Sequence, residues 1–162
     1  MALFAQQLQE KGCEVLIING DYYNIVNDSS IRDWYKKHKV AYRTFETEYE
    51  RLHEKDNPAD IDYLRYFEEK YCVTKNLNQL IMTDPILASW HHYRFPYYTK
   101  TSKESIYRWT AKLLKWLEDI IFSFNPDAIF SYEIAYLIKN AAAQISLSTN
   151  LPMRTLVRSR IG

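Results

Sequence analysis

A chain of 162 residues that is 47% hydrophobic has room for one domain with a substantial core. Twenty-one Lys and Arg stand against 20 Asp and Glu, so no global field selects nucleic acid or an anionic membrane. Cys13 and Cys72 are the only cysteines and form no CxxC, which leaves a disulfide framework or structural zinc site without support, and no apolar run reaches the roughly 18 residues of a membrane span.

A signal peptide is also missing from the start, and a soluble protein of a reducing, cytoplasmic compartment is expected, with a peripheral position at the inner membrane compatible with that. With three glycines in the chain, no GxGxxG, GxxxxGKS/T or GxSxG occurs. No phosphate-cradling loop is therefore expected in these residues, and no metal site or resident cofactor.

The first predicted element is a helix from Ala2, with Leu3, Phe4 and Leu8 on one side, stopped by Gly12 in the C′ role. It runs into a strand over residues 13–19 that is apolar from Val15 to Ile18, the pattern of a strand covered on both faces. Helix then buried strand is the second half of a Rossmann-like unit, so a preceding strand and its loop are expected upstream; the far end, leaving a strand at residues 156–162, reads as equally incomplete.

Residues 28–98 read as a mainly helical insertion followed by an aromatic loop. Ser29 or Ser30 is placed to cap a short helix, Asn57-Pro58 breaks the chain, and Asp60 caps a second helix through Tyr63, Leu64 and Phe67. A shorter helical piece ends at Asp84-Pro85, and residues 89–98 form the loop. Thr101 with Glu104 has capping-box spacing, and the long helix it opens carries Ile106, Trp109, Leu113, Trp116 or Leu117, Ile120 and Phe124 at steps of three and four. After Asn125-Pro126 come a strand over 128–133, an alanine-rich helix over 134–148 and a strand over 153–158. That order and spacing predict a right-handed strand–helix–strand crossover with parallel strands. The fold expected is α/β, a Rossmann-like parallel sheet flanked by helices, in one domain spanning 1–162.

Ligands of open α/β sheets bind beyond the carboxyl ends of the strands. That rule selects Asp21 and Tyr22 after the first strand, Glu133 after the second, and the segment with Arg158 and Arg160 after the third. Glu133 has the position to orient a hydroxyl or act as a base, against a plainer role capping the helix that follows it. His91 and His92 are adjacent and cannot form an i, i+4 metal pair; His91 with Arg94 nearby could serve as base or phosphate contact, or pack on the ring of Trp90 or Tyr93. Asp84 is a turn or cap residue or a site carboxylate. Arg154, Arg158 and Arg160 alternate with apolar residues and share one strand face, while Tyr22, Tyr23, Tyr97 and Tyr98 offer rings for sugar stacking or for ordinary packing.

Four segments together carry a family likeness: AQQLQEKGCEVLII (5–18), FEEKYCV (67–73), NPDAIFSYE (125–133) and LPMRTLVRSRIG (151–162). They resemble the amino-terminal domain of capsule and surface polysaccharide biosynthesis proteins of the GT-B glycosyltransferase type. The resemblance implies half of a two-domain architecture, in which this half binds a glycan acceptor and a carboxy-terminal domain, not in this chain, binds the sugar-nucleotide donor. Only Glu133, Arg158 and Arg160 match positions where that family's cleft would lie. Two other readings stay open, a non-catalytic α/β protein-interaction module and half of a sugar-nucleotide epimerase. Single-stranded RNA binding lacks the basic excess it would need.

Overall fold

The computed structural model describes residues 2–19, 29–45, 59–84, 102–132 and 136–155. Helices and short parallel strands make them up, and the chain divides into two compact units, residues 1–51 and 52–162.

The first unit is a strand–helix–strand arrangement preceded by a helix. Helix α1 (Ala2–Glu10) ends as expected: Gly12 takes φ 84°, its N–H reaches Gln9 O at 2.9 Å, and the Cys13 N–H reaches back to Leu8 O at 3.0 Å. Ala5 is its buried residue. Leu3, assigned from the sequence to the same face as Phe4 and Leu8, is 73% exposed. Strand β1 (Leu16–Asn19) is followed by helix α2 (Ser29–Lys37) and then by strand β2 (Ala41–Thr44), which pairs with β1 in parallel, Leu16 opposite Ala41 and Asn19 opposite Thr44.

Strand β2 lies inside the stretch that reads from sequence as mainly helical. Its four residues are too few to show a period against the charges around them. What places it is the end of α2, where Lys39 adopts φ 54° and the Val40 N–H closes on Tyr35 O at 2.9 Å, reversing the chain. Tyr35, Val40 and Ala5 then form a small core, with Val15, Ile17, Trp34 and Tyr42 packed against it.

The second unit is mostly helical. Asp60 caps α3 (Ile61–Tyr71), its Oδ1 accepting the Tyr63 N–H at 3.0 Å, as its position before the apolar stripe predicted. Leu64, Phe67 and Tyr71, spaced three and four apart, are the buried face. Asn76 caps the short α4 (Leu77–Ile81) through the Gln79 N–H.

The long helix α5 (Lys103–Phe124) is capped by Ser102, whose Oγ accepts the Ser105 N–H at 3.1 Å. The cap is thus one residue later than the Thr101–Glu104 spacing suggests; Ser102 has the extended backbone a cap needs, and Glu104 instead pairs with Arg108 one turn on, at 3.5 Å. Trp109, Leu113, Leu117 and Ile121 are buried along α5, while Trp116 is only partly buried, because the stripe turns toward Leu114 and Leu117. Asn125, in the left-handed region at φ 49°, stops the helix.

Strand β3 (Ile129–Ser131), helix α6 (Leu137–Thr149) and strand β4 (Met153–Thr155) complete the unit, and β3 pairs with β4 in parallel with Ile129 opposite Met153. The alanine-rich helix packs closely, with Ala141 and Ala142 buried beside Leu137 and Ile145, and it touches α3, α4 and α5. Among the described residues the strands form two parallel pairs, β1 with β2 and β3 with β4. The architecture is α/β with small parallel sheets.

Candidate functional site

The carboxyl end of β3 and the start of α6 are the strand-end location where α/β folds place ligands. Ser131, the last residue of β3, is buried, and Tyr132 after it is partly so. Helix α6 then begins at Leu137 with Tyr136 as its N-cap. Tyr136 has an extended backbone and makes no side-chain cap bond.

The missing cap comes from far away in the chain. Asp84, 1% exposed, accepts the Leu137 N–H on Oδ2 at 3.2 Å across 53 residues. Asp84 is delivered there by the turn that ends α4, in which its own N–H donates to Ile81 O at 3.0 Å and the Thr83 hydroxyl donates to Leu80 O at 2.7 Å. Beside it, Asn140 Nδ2 donates to Thr83 Oγ1 at 2.9 Å and to Tyr136 O at 3.3 Å. Thr83, Asp84 and Asn140 therefore fasten the α4 turn to the first turn of α6. Of the two roles the sequence allows Asp84, the geometry displays the cap. The same turn carries Lys139, whose Nζ lies 5.1 Å from the Tyr136 ring centroid.

The other candidates lie elsewhere. Glu133, His91, Asp21, Tyr22, Arg94, Arg158 and Arg160 fall outside the described residues, as do Tyr23, Tyr97 and Tyr98. Arg154, the described member of the arginine set, is exposed on β4 opposite Phe130, which is 38% exposed.

A second polar cluster escapes sequence reading. Glu118, on α5, accepts the Tyr63 hydroxyl on Oε2 at 2.8 Å, and on Oε1 the hydroxyls of Tyr66 at 3.0 Å and of Tyr71. Lys70 Nζ sits 3.4 Å from the same Oε1 and also bonds the Tyr66 hydroxyl. Burial acts to raise the Glu118 pKa, but the bonds from Tyr71, Tyr63 and Tyr66 and the Lys70 charge outweigh it and hold the carboxyl below its ordinary value. Burial and the adjacent Glu118 push Tyr63 and Tyr71 upward, so they stay phenols. Such a carboxylate is ionised and occupied by donors, which makes it a tie between α3 and α5 and a poor base. At the start of α3, Lys115 bonds the Asp60 carboxylate and lies 5.0 Å from the Tyr63 ring centroid. The signal in the sequence was the stripe of Tyr63, Tyr66, Lys70 and Tyr71 on one helix; its partner is 47 to 55 residues away.

Among the described residues no group of three or more His, Cys, Asp and Glu is placed to hold a metal, and no helix is long and apolar enough to cross a membrane. Cys13 is exposed and Cys72 buried, both free, with burial pushing the Cys72 thiol up to about 11. Comparison with known protein families, with curated proteins and with solved structures finds no match to the chain.

Proposed function

We propose that this chain is the acceptor-binding half of a GT-B type glycosyltransferase acting in bacterial capsule or surface polysaccharide assembly. The observation that supports this reading best is the parallel β3–α6–β4 unit, whose strand end meets a helix start capped from within the chain by Asp84. A donor-binding half would instead present its helix N-terminus to a nucleotide diphosphate. In the proposed reaction a carboxylate, Glu133, removes the proton from an acceptor hydroxyl as its oxygen attacks the anomeric carbon of the donor sugar. The bond to the nucleotide diphosphate breaks, and the departing charge is stabilised by cationic groups and helix dipoles, mainly on the partner domain. Asp21, Tyr22, Arg94, Arg158 and Arg160 are the proposed acceptor contacts, with His91 the second candidate for the base.

Saturation-transfer NMR of the 162-residue chain with surface-polysaccharide oligosaccharides and with sugar nucleotides tests this. Binding of the oligosaccharide but not of the nucleotide is expected, and no sugar transfer by this chain alone. In a protein joined to its nucleotide-binding domain, Glu133→Gln should cut transfer by roughly 10²- to 10⁴-fold while leaving glycan binding in place. Sugar transfer by the isolated chain, or an unaffected Glu133→Gln enzyme, would sink the proposal.

A protein-interaction module is the second reading, favoured by Val73 and Leu147, each 65% exposed, near the Gln144 Oε1 that accepts the Val73 N–H at 2.8 Å. Val73→Ser with Leu147→Ser should then abolish capture of a partner protein, and neither form of the chain should bind glycan.

A further inference from the structure

The face of an aromatic ring attracts a cation, and sites for quaternary ammonium groups are built from several such faces turned toward one point. Helices α3 and α5 make an arrangement of that kind. Lys70 Nζ stands 4.8 Å from the Tyr66 ring centroid, 4.7 Å from that of Tyr71 and 5.6 Å from that of Phe122, with Glu118 Oε1 3.4 Å away. The Tyr66 and Tyr71 rings meet at 86°, so they are two walls of a corner with Phe122 as a third side. These walls are fixed without Lys70. Glu118 holds both phenols by their hydroxyls, the buried Phe67 backs the Tyr71 ring at 4.9 Å, and Tyr63 flanks Tyr66 at 5.7 Å.

We propose that this corner of α3 and α5 is a binding site for a quaternary ammonium group, and that Lys70 is a built-in occupant which the ligand displaces. The occupant is loosely held. The Lys70 side chain is 44% exposed on a flexible stem, and Tyr66 and Phe122 are 42% and 51% exposed, so the corner opens to water. Its ion pair with Glu118 contributes little at that exposure. A lysine ammonium is strongly hydrated and gives up part of that shell to sit among rings. A quaternary ammonium brings the same charge without N–H donors and lays its methyl groups against the rings, gaining apolar burial that Lys70 does not. Glu118 supplies the countercharge in both cases. The site is independent of the acceptor-side reading above.

The test is a titration of the full chain with tetramethylammonium chloride and, separately, with choline chloride, at an ionic strength held constant with sodium chloride, following the ring resonances of Tyr66, Tyr71 and Phe122. A saturable shift at these rings is expected in the wild type, with Kd of about 1–10 mM, and binding at least about tenfold tighter in Lys70→Ala, where the occupant is gone. Phe122→Leu, at a half-exposed position, should weaken binding at least about threefold and leave Tm in place. No saturable shift in the wild type overturns the proposal. A folded Lys70→Ala chain that binds no more tightly overturns it too, since Lys70 would then not be the occupant. If that variant does not fold, the wild type and Phe122→Leu decide. Sedimentation with phosphatidylcholine vesicles separates two sources of the group, both of which support the site: retention of the chain that Phe122→Leu abolishes assigns a lipid headgroup, and binding of free choline without retention assigns a soluble ligand.

Discussion

Glu118 offers a direct measure of how α3 is held to α5. In Glu118→Ala the hydroxyls of Tyr63 and Tyr71 lose an ionised acceptor in a partly buried setting, and hydrogen bonds to charged groups contribute about 1.5–3 kcal/mol each. The bond from Tyr66 and the ion pair with Lys70 add little, because Tyr66 is 42% exposed and the Lys70 side chain 44% exposed. Solvent reaching the vacated site offsets part of the loss, so the expected destabilisation is about 3 kcal/mol, or roughly 6–12 °C in Tm for a chain of this size. Glu118→Gln keeps one acceptor oxygen and should lose about half as much. Tyr71→Phe should cost about 1–2 kcal/mol and Tyr66→Phe under about 0.5 kcal/mol.

Urea denaturation followed by Trp fluorescence reads this out, since Trp109 is 2% exposed on α5; the midpoint should fall with the slope unchanged. The pH dependence supplies an independent check. The folded-state pKa of Glu118 is depressed, so its contribution is complete above the ordinary glutamate value of 4.5 and disappears as pH falls below that toward the folded value. The difference between wild type and Glu118→Gln should accordingly shrink on acidification through that window. A loss under about 0.5 kcal/mol in Glu118→Ala, or a difference that grows toward acid, would refute the reasoning.

Other substitutions probe separate features. Lys39→Gly should stabilise the first unit by about 0.5–1 kcal/mol in thermal melts, because Lys39 holds φ 54° where a side chain is disfavoured. Thr110 is fully buried and its Oγ1 has no hydrogen-bond partner among the described residues, so Thr110→Val should be neutral or stabilising by up to about 1 kcal/mol in urea; a clear loss would reveal a bond made by that hydroxyl. At neutral pH Cys13 should react with a maleimide in the native protein while Cys72 reacts only on unfolding, which peptide mass spectrometry of the labelled sites resolves.

What could be read in the chain depended on how far apart the cooperating residues lie. Gly12, Asp60 and the α5 stripe of Trp109, Leu113 and Leu117 act within a turn or two of themselves, and local pattern located them. The pairing of β3 with β4 followed from strand, helix and strand at crossover spacing, a rule of topology that needs no contact to be known. Strand β2 was not visible because four residues between charges carry too little periodicity, and the reversal at Lys39 uses a residue type that gives no warning. For Asp84 the sequence suggested a cap without showing of what, since the helix it serves starts 53 residues later. Glu118 had no distinguishing neighbours at all; its significance comes from tyrosines on another helix. Seven of the eight site residues proposed from sequence, Glu133 among them, fall in stretches outside the described residues, and the eighth is Asp84.

The link between Asp84 and Leu137 also constrains the order in which the second unit assembles. Closing a loop of 53 residues costs about 3.5 kcal/mol in chain entropy, a cost that the apolar faces of α3 and α5, at separations of 47 to 55 residues, offset with many contacts and that a single hydrogen bond does not, so this contact belongs late on the folding path, after those faces have come together. The first turn of α6 is then completed by a segment synthesised long before it. Removing the Asp84 carboxylate should therefore hasten unfolding far more than it slows folding, which makes this bond a latch on the finished unit and no part of its nucleus.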